Sequence, residues 1–140
     1  LGPVLAHFLS LFWQGQLSLP KNIFLAEATL IPIPLSSKRR RWRGFNQAEI
    51  LAREIAKNFN YLVDLNLSRA QYRAPQATLD EQERALNIQG SFLWTGKNLT
   101  GQTIILIDDV VTTGATLNEA ARVLKNAGAA RVYALVIAKG

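Results

Sequence analysis

Cysteine is absent from the 140 residues, which excludes disulfides and any thiolate-ligated zinc or iron–sulfur centre. Histidine occurs once, at His7, so neither a multi-histidine metal site nor a Ser-His-Asp triad with a second, better placed imidazole can be built. Methionine is absent too, and the chain starts at Leu1; the expectation is a fragment or processed product of a longer protein. No apolar run reaches the ~18 residues of a membrane span. The nearest covers 1–13, is interrupted by His7 and Ser10, and stops at Gln14-Gly15. No signal peptide shows in these residues, though a fragment could have lost one. The expectation is one cytoplasmic domain over 1–140 with no membrane partner, since the length suits a single domain. With 49% apolar and 19% charged residues the composition is that of a globular protein, which sets disorder aside.

Charge is present in one place. The formal net charge is +6, and Lys38, Arg39, Arg40, Arg41 and Arg43 fall within six positions. Without them the chain is close to neutral, so the basicity is a local patch. Such a patch suits a localised anion (phosphate, pyrophosphate or nucleic acid), although a charge run alone is more often a solvated turn.

Pro3 and the spacing of Val4, Leu5, Phe8, Leu9 and Phe12 predict a helix stopped by Gly15. A short helix around 23–27 is weaker. Residues 29–34 predict a buried strand, interrupted or at an edge where Pro32 lacks an N–H. Asn46 and Glu49 read as a capping box for a helix whose apolar face is Ala48, Leu51, Ala52, Ile55 and Phe59. Val63, Leu65 and Leu67 alternate as a half-buried strand would, 68–79 reads as loop, and Asp80 with Glu83 caps a short helix through Leu86. Residues 91–94 predict a short strand and 95–98 a turn. Residues 103–107 form a β-branched run typical of a central parallel strand, which Asp108-Asp109 ends. A helix over 116–126, with Leu117, Ala120, Ala121 and Leu124 inward, precedes a strand over 132–138. Strand, helix, strand over 103–138 is a βαβ unit, so the fold class is α/β with a mainly parallel sheet.

The chemistry concentrates in Ile104-Ile105-Leu106-Ile107-Asp108-Asp109-Val110-Val111-Thr112-Thr113-Gly114-Ala115-Thr116. A buried strand delivers two carboxylates to its C-terminal end, where open α/β sheets bind ligands. A Thr- and Gly-containing loop then enters a helix N-terminus, whose N–H groups and dipole suit a phosphate. Adjacent carboxylates suit vicinal hydroxyls. A ribose 5-phosphate carries both groups. The plainer alternative is a turn capped by Asp108 and Asp109 with Thr116 as N-cap. Neither a Walker A nor a G-x-G-x-x-G pattern occurs.

This segment resembles the phosphoribosyl-pyrophosphate (PRPP) signature of the type I phosphoribosyltransferases. The resemblance implies that Asp108 and Asp109 are the catalytic acids that hold the ribose hydroxyls. It implies that Thr112, Thr113, Gly114, Ala115 and Thr116 wrap the 5-phosphate. Ile31-Pro32-Ile33-Pro34-Leu35 with Arg43-Gly44-Phe45-Asn46-Gln47-Ala48-Glu49 resembles a block of the competence-protein-F-like (ComF/GntX) group within that family. So does Arg73-Ala74-Pro75-Gln76 with Glu83-Arg84 and Asn87-Ile88-Gln89-Gly90-Ser91-Phe92. The loop after Pro34 stands where the family keeps its pyrophosphate loop, which points to Leu35, Ser36, Ser37, Lys38, Arg39 and Arg43. Residues 68–90 would be a flexible hood, with Gln76, Arg84 and Asn87 as its polar groups; Arg84 could equally pair with Asp80 or Glu81.

The resemblance implies a type I phosphoribosyltransferase-like (Rossmann-like) fold and transfer of phosphoribosyl to an acceptor. Mg²⁺ would arrive with PRPP and not on the chain itself. The expected ligand is PRPP or ribose 5-phosphate, with room for a homodimer. The alternative is a non-catalytic accessory protein in DNA uptake that binds single-stranded DNA through the basic loop, Trp42 and Phe45, and senses PRPP. Two departures stand out. Many members of the group begin with a four-cysteine zinc ribbon; with no cysteine in this chain, the ribbon is missing or was cut away with the start. Leu11-Phe12-Trp13-Gln14-Gly15 replaces a stretch that usually carries two cations.

Overall fold

The computed structural model describes residues 27–35, 41–42, 44–70 and 89–140. Extended, mostly apolar Ala28–Pro32 forms β1, and amphipathic Gln47–Phe59 forms α1. Short strands β2 (Leu62–Val63), β3 (Leu67–Arg69) and β4 (Phe92–Trp94) follow. The β-branched run makes β5 (Thr103–Val111), which leads through α2 (Ala115–Asn126) into β6 (Arg131–Lys139). The strands β2, β1, β5 and β6 lie in that order, all parallel, while β3 and β4 form a separate antiparallel pair. The class is thus the expected one: α/β with a mainly parallel sheet.

Side-chain alternation along the central strands splits the core in two. Leu30, Ile105 and Ile107 face Leu51, Ala52 and Ile55 of α1. Ile31, Ile104 and Leu106 face Ala120 and Leu124 of α2, together with Leu67 of β3 and Phe92 of β4. Both faces are covered at Leu30–Ile31 and at Ile104–Ile107, which is why these stretches are apolar without alternation. Each side chain buried this way contributes about 1.5–3 kcal/mol.

Local signals work as expected at most ends. Asn46 is the N-cap of α1, its Oδ1 accepting the Ala48 N–H at 3.1 Å. Asn60 closes the helix in the left-handed conformation, φ 56°, its N–H donating to Ala56 O. The capping box is not closed: Glu49 turns instead to Arg53, one helical turn on, whose Nη2 it meets at 2.9 Å. Pro32 sits in a strand flanked on both sides, yet at a locally open edge. Ile33 N–H donates to Ile107 O, so the ring nitrogen one residue earlier faces the β2 side, where that strand has already ended.

Two expectations are corrected. Val63, Leu65 and Leu67 do not share a strand. Asp64 Oδ1 accepts the Asn66 N–H at 2.9 Å, and this side-chain turn sends β2 and β3 into different sheets. Nor does β5 end at Asp108-Asp109: it continues to Val111, because β6 is long enough to pair Asp108 with Val136 and Val111 with Lys139. The expected helices over 4–12 and from Asp80 to Leu86 lie outside the described residues, as does 23–27 apart from Glu27.

Candidate active site

The strands of the sheet stop at different heights, and the site occupies the step. β1 ends at Pro32, and Ile33 N–H makes the last bond across to Ile107 O at 2.8 Å. β5 and β6 run on together, and Gly140 N–H donates to Val111 O at 2.8 Å. Asp108–Val111 therefore project as a two-stranded extension that no strand covers on the β1 side among the described residues. Asp108 and Asp109 lie half-buried on it, inside a strand rather than at its tip.

Asp108 carries an unusual charge balance. Burial, foremost, and the adjacent Asp109 carboxyl push its pKa up to about 6. The Asp109 N–H, donated to Asp108 Oδ1 at 2.9 Å, and the guanidinium of Arg69 oppose that rise. A carboxyl poised there changes charge near neutral pH, as functional carboxyls often do.

Beyond Val111 the chain turns through exposed Thr112 and Thr113 to half-buried Gly114, Ala115 and Thr116. Thr113 Oγ1 accepts the Ala115 N–H at 3.3 Å. Gly114 is the N-cap of α2, in the left-handed conformation with φ 81°, so the cap is not Thr116. A glycine offers no side-chain oxygen to the first turn, and that turn has no acidic residue. A Cβ at Gly114 would meet nothing within 4 Å among the described residues. The positive end of α2 thus has no acid in its first turn and no cap side chain, with Thr113 Oγ1 on the Ala115 N–H alone.

The exit of β1 is held from two sides. Asn46 Nδ2 donates to Ile33 O at 3.0 Å, and Arg69 Nε, from β3, donates to Pro34 O at 2.9 Å. Arg69 was not legible as a site residue, because 68–79 reads as loop; the available signal was a cation two residues after inward-facing Leu67. Glu119 was missed as well. It is 6% exposed on α2, and its Oε1 accepts the Gly90 N–H at 2.8 Å while Arg122 binds it through Nε and Nη2. Arg122 first, and the Gly90 N–H with it, hold the Glu119 carboxyl below the usual range. This ties the entry to β4 onto α2.

The structure thus brings Asp108, Asp109 and Thr112 to Thr116 together by chain continuity, and places half-buried Leu35 just past the β1 exit. Ser36, Ser37, Lys38, Arg39, Arg43, Gln76, Arg84 and Asn87 lie outside the described residues. Among the described residues no three His, Cys, Asp or Glu side chains converge on a metal position, and no helix is long and apolar enough to cross a membrane.

A family model described as phosphoribosyl transferase domain matches residues 43–140. The chain is 32% identical over 131 residues to competence protein F of Haemophilus influenzae, covering 89% of this chain and 52% of that protein. It is 41% identical over 102 residues to competence protein ComFC of Bacillus subtilis, covering 72% of this chain and 40% of that one. The chain spans about half the length of these curated relatives. Among solved structures, a hypoxanthine phosphoribosyl transferase of Trypanosoma cruzi matches with a TM-score of 0.51 at 15% identity, covering 97% of this chain and 70% of that one, a likeness of fold.

Proposed function

The chain belongs to the phosphoribosyltransferase family as a ComF-like member, and from that premise we propose that it binds PRPP at the stepped end of its sheet and transfers the phosphoribosyl group to an acceptor. The observation that carries this reading is the outward-facing N-terminus of α2, capped by left-handed Gly114 directly after the Asp108-Asp109 pair. Phosphate at the helix end and a diol at the carboxylates are the two halves of a ribose 5-phosphate.

In this reading the backbone N–H groups of 112–116 hold the 5-phosphate, and Asp108 and Asp109 accept hydrogen bonds from the ribose hydroxyls. The pyrophosphate lies toward the β1 exit, against Leu35 and the loop of Ser36, Ser37, Lys38, Arg39 and Arg43. Gln76, Arg84 and Asn87 belong to the segment that excludes water. The bond from C1 to the pyrophosphate oxygen breaks with its electron pair leaving on pyrophosphate, while an acceptor lone pair forms the new bond to C1. Catalysis is by positioning and by stabilising the leaving charge. Asp108 and Asp109 are the described side chains that would face a magnesium ion brought with the substrate, which would supply neutralisation of that charge. Calorimetry with PRPP and Mg²⁺ tests the reading: saturable binding is expected, and no heat at millimolar ligand overturns it.

A second reading, binding of single-stranded DNA, draws on one surface. Trp42 is 84% exposed and Phe45 46%, beside exposed Arg41 in the segment before α1. Aromatic rings among cations can stack bases while pairing phosphates. Oligonucleotide affinity should then fall steeply between low and physiological salt; a flat profile removes the DNA role.

A further inference from the structure

The antiparallel pair of β3 and β4 lies against the α2 face of the sheet, where Leu67 and Phe92 share one apolar cluster with Ile104 and Leu106. Alternation then fixes what comes next. Arg69 is two residues beyond Leu67 and Asp108 two beyond Leu106, so each continues the same face past the apolar layer. Arg69 is opposite Phe92 in the β3–β4 register, and its guanidinium carbon sits 4.9 Å from the centre of that ring. Its Nε donates to Pro34 O, thirty-five residues away in sequence.

That bond fixes more than a carbonyl. No cis peptide occurs among the described residues. In a trans peptide the C=O and the following N–H point in opposite directions. Holding Pro34 O toward Arg69 turns the Leu35 N–H the other way. The preceding peptide is held independently through Asn46 Nδ2 on Ile33 O. The planar guanidinium, stacked on Phe92, is a stiffer clamp than an ammonium on a flexible stem would be.

We propose that Arg69 is a positioning residue for the anionic ligand: by holding the Pro34 carbonyl it sets the Pro34–Leu35 peptide, and with it the direction of the Leu35 N–H, at the exit of β1. The inference rests on the reading of the site as a PRPP site, in which Leu35 opens the pyrophosphate loop. The field of Arg69 at Asp108 is a second consequence of the same placement.

The test compares two ligands on the full chain by calorimetry with Mg²⁺: PRPP, which carries the pyrophosphate, and ribose 5-phosphate, which does not. Arg69→Met keeps the stem over Phe92 and removes the donor. It should weaken PRPP about tenfold, the worth of one charge-assisted hydrogen bond, and leave ribose 5-phosphate within about twofold. Arg69→Lys keeps the charge without the fixed donor and should still weaken PRPP several-fold; it carries the test alone if Arg69→Met does not fold. Equal weakening of both ligands would mark a merely structural role. Full affinity in Arg69→Lys would mark a role of charge and not of position. Either result, or an unchanged ratio in Arg69→Met, overturns the inference while leaving the PRPP reading intact. A wild-type chain that binds neither ligand overturns that reading first, and the inference with it.

Discussion

The two helices of the sheet begin in opposite ways. At α1 the cap is Asn46, in extended conformation with φ −102°, whose Oδ1 takes the Ala48 N–H and whose Nδ2 grips Ile33 O. Glu49 adds a negative charge to that first turn. At α2 the cap is Gly114, left-handed, with no side chain and no acid in the turn after it. Both helices follow a parallel strand and both have the same dipole. One N-terminus is held by its own cap side chain and an acidic first turn; at the other the cap residue offers nothing, and only Thr113 Oγ1, at 3.3 Å, takes the Ala115 N–H. A helix end becomes an anion site when its cap is withheld.

The largest effect should come from closing the open end. Gly114→Val places a β-branched residue at φ 81° and a side chain where the phosphate would lie. Ribose 5-phosphate affinity should fall by about a hundredfold or more, with a stability loss on the order of 1–3 kcal/mol. Binding calorimetry and thermal unfolding read the two effects separately. If Gly114→Val kept most of the affinity while Thr113→Val and Thr116→Val lost it, the hydroxyls and not the backbone would be the cradle.

The converse change opens the closed end. Asn46→Ala removes the cap of α1 and one hold on the β1 exit, at a cost of about 1–2 kcal/mol in urea unfolding. Ribose 5-phosphate affinity should stay within about twofold. A large affinity loss would mean that the two helix ends are not independent.

The smallest effect concerns Asp108. Its folded pKa, about 6, lies above the ordinary 3.8. The folded protein therefore holds the proton more tightly than the unfolded chain, and stability falls as pH rises from about 4 to about 6. Asp108→Asn removes that loss. It should raise stability at pH 7 by on the order of 1 kcal/mol, after allowance for the carboxyl's partial exposure, and leave stability below pH 4 unchanged. Equal stability of the two proteins at pH 7 would show that Asp108 is not burdened by its charge. The same variant serves as the control for pH-dependent binding, because a phosphate monoester also titrates near pH ~6.

Local signals carried the β5–α2–β6 unit. The β-branched strand, the amphipathic helix and Gly128 after it each say the same thing over a short stretch. The caps of α1 were legible for the same reason. What failed depended on distant partners. The end of β5 is set by how far β6 runs, and the split at Asp64 by which sheet each strand joins; the capping box alone failed locally, to Arg53 one turn on from Glu49. In the site, the Asp108-Asp109 pair and the 112–116 loop form one contiguous pattern and were visible as such. Arg69 and Glu119 act through Pro34 and Gly90, across 35 and 29 residues of chain. No local period records contacts of that length.

The decisive measurement follows backbone amides by NMR as ribose 5-phosphate is titrated into labelled protein. Saturable shifts are expected in residues 112–117, at the start of α2, with the first turn of α1, residues 46–49, unmoved. Shifts at the α1 end, or none at the α2 end while the ligand binds, would contradict the assignment of the uncapped helix as the phosphate site.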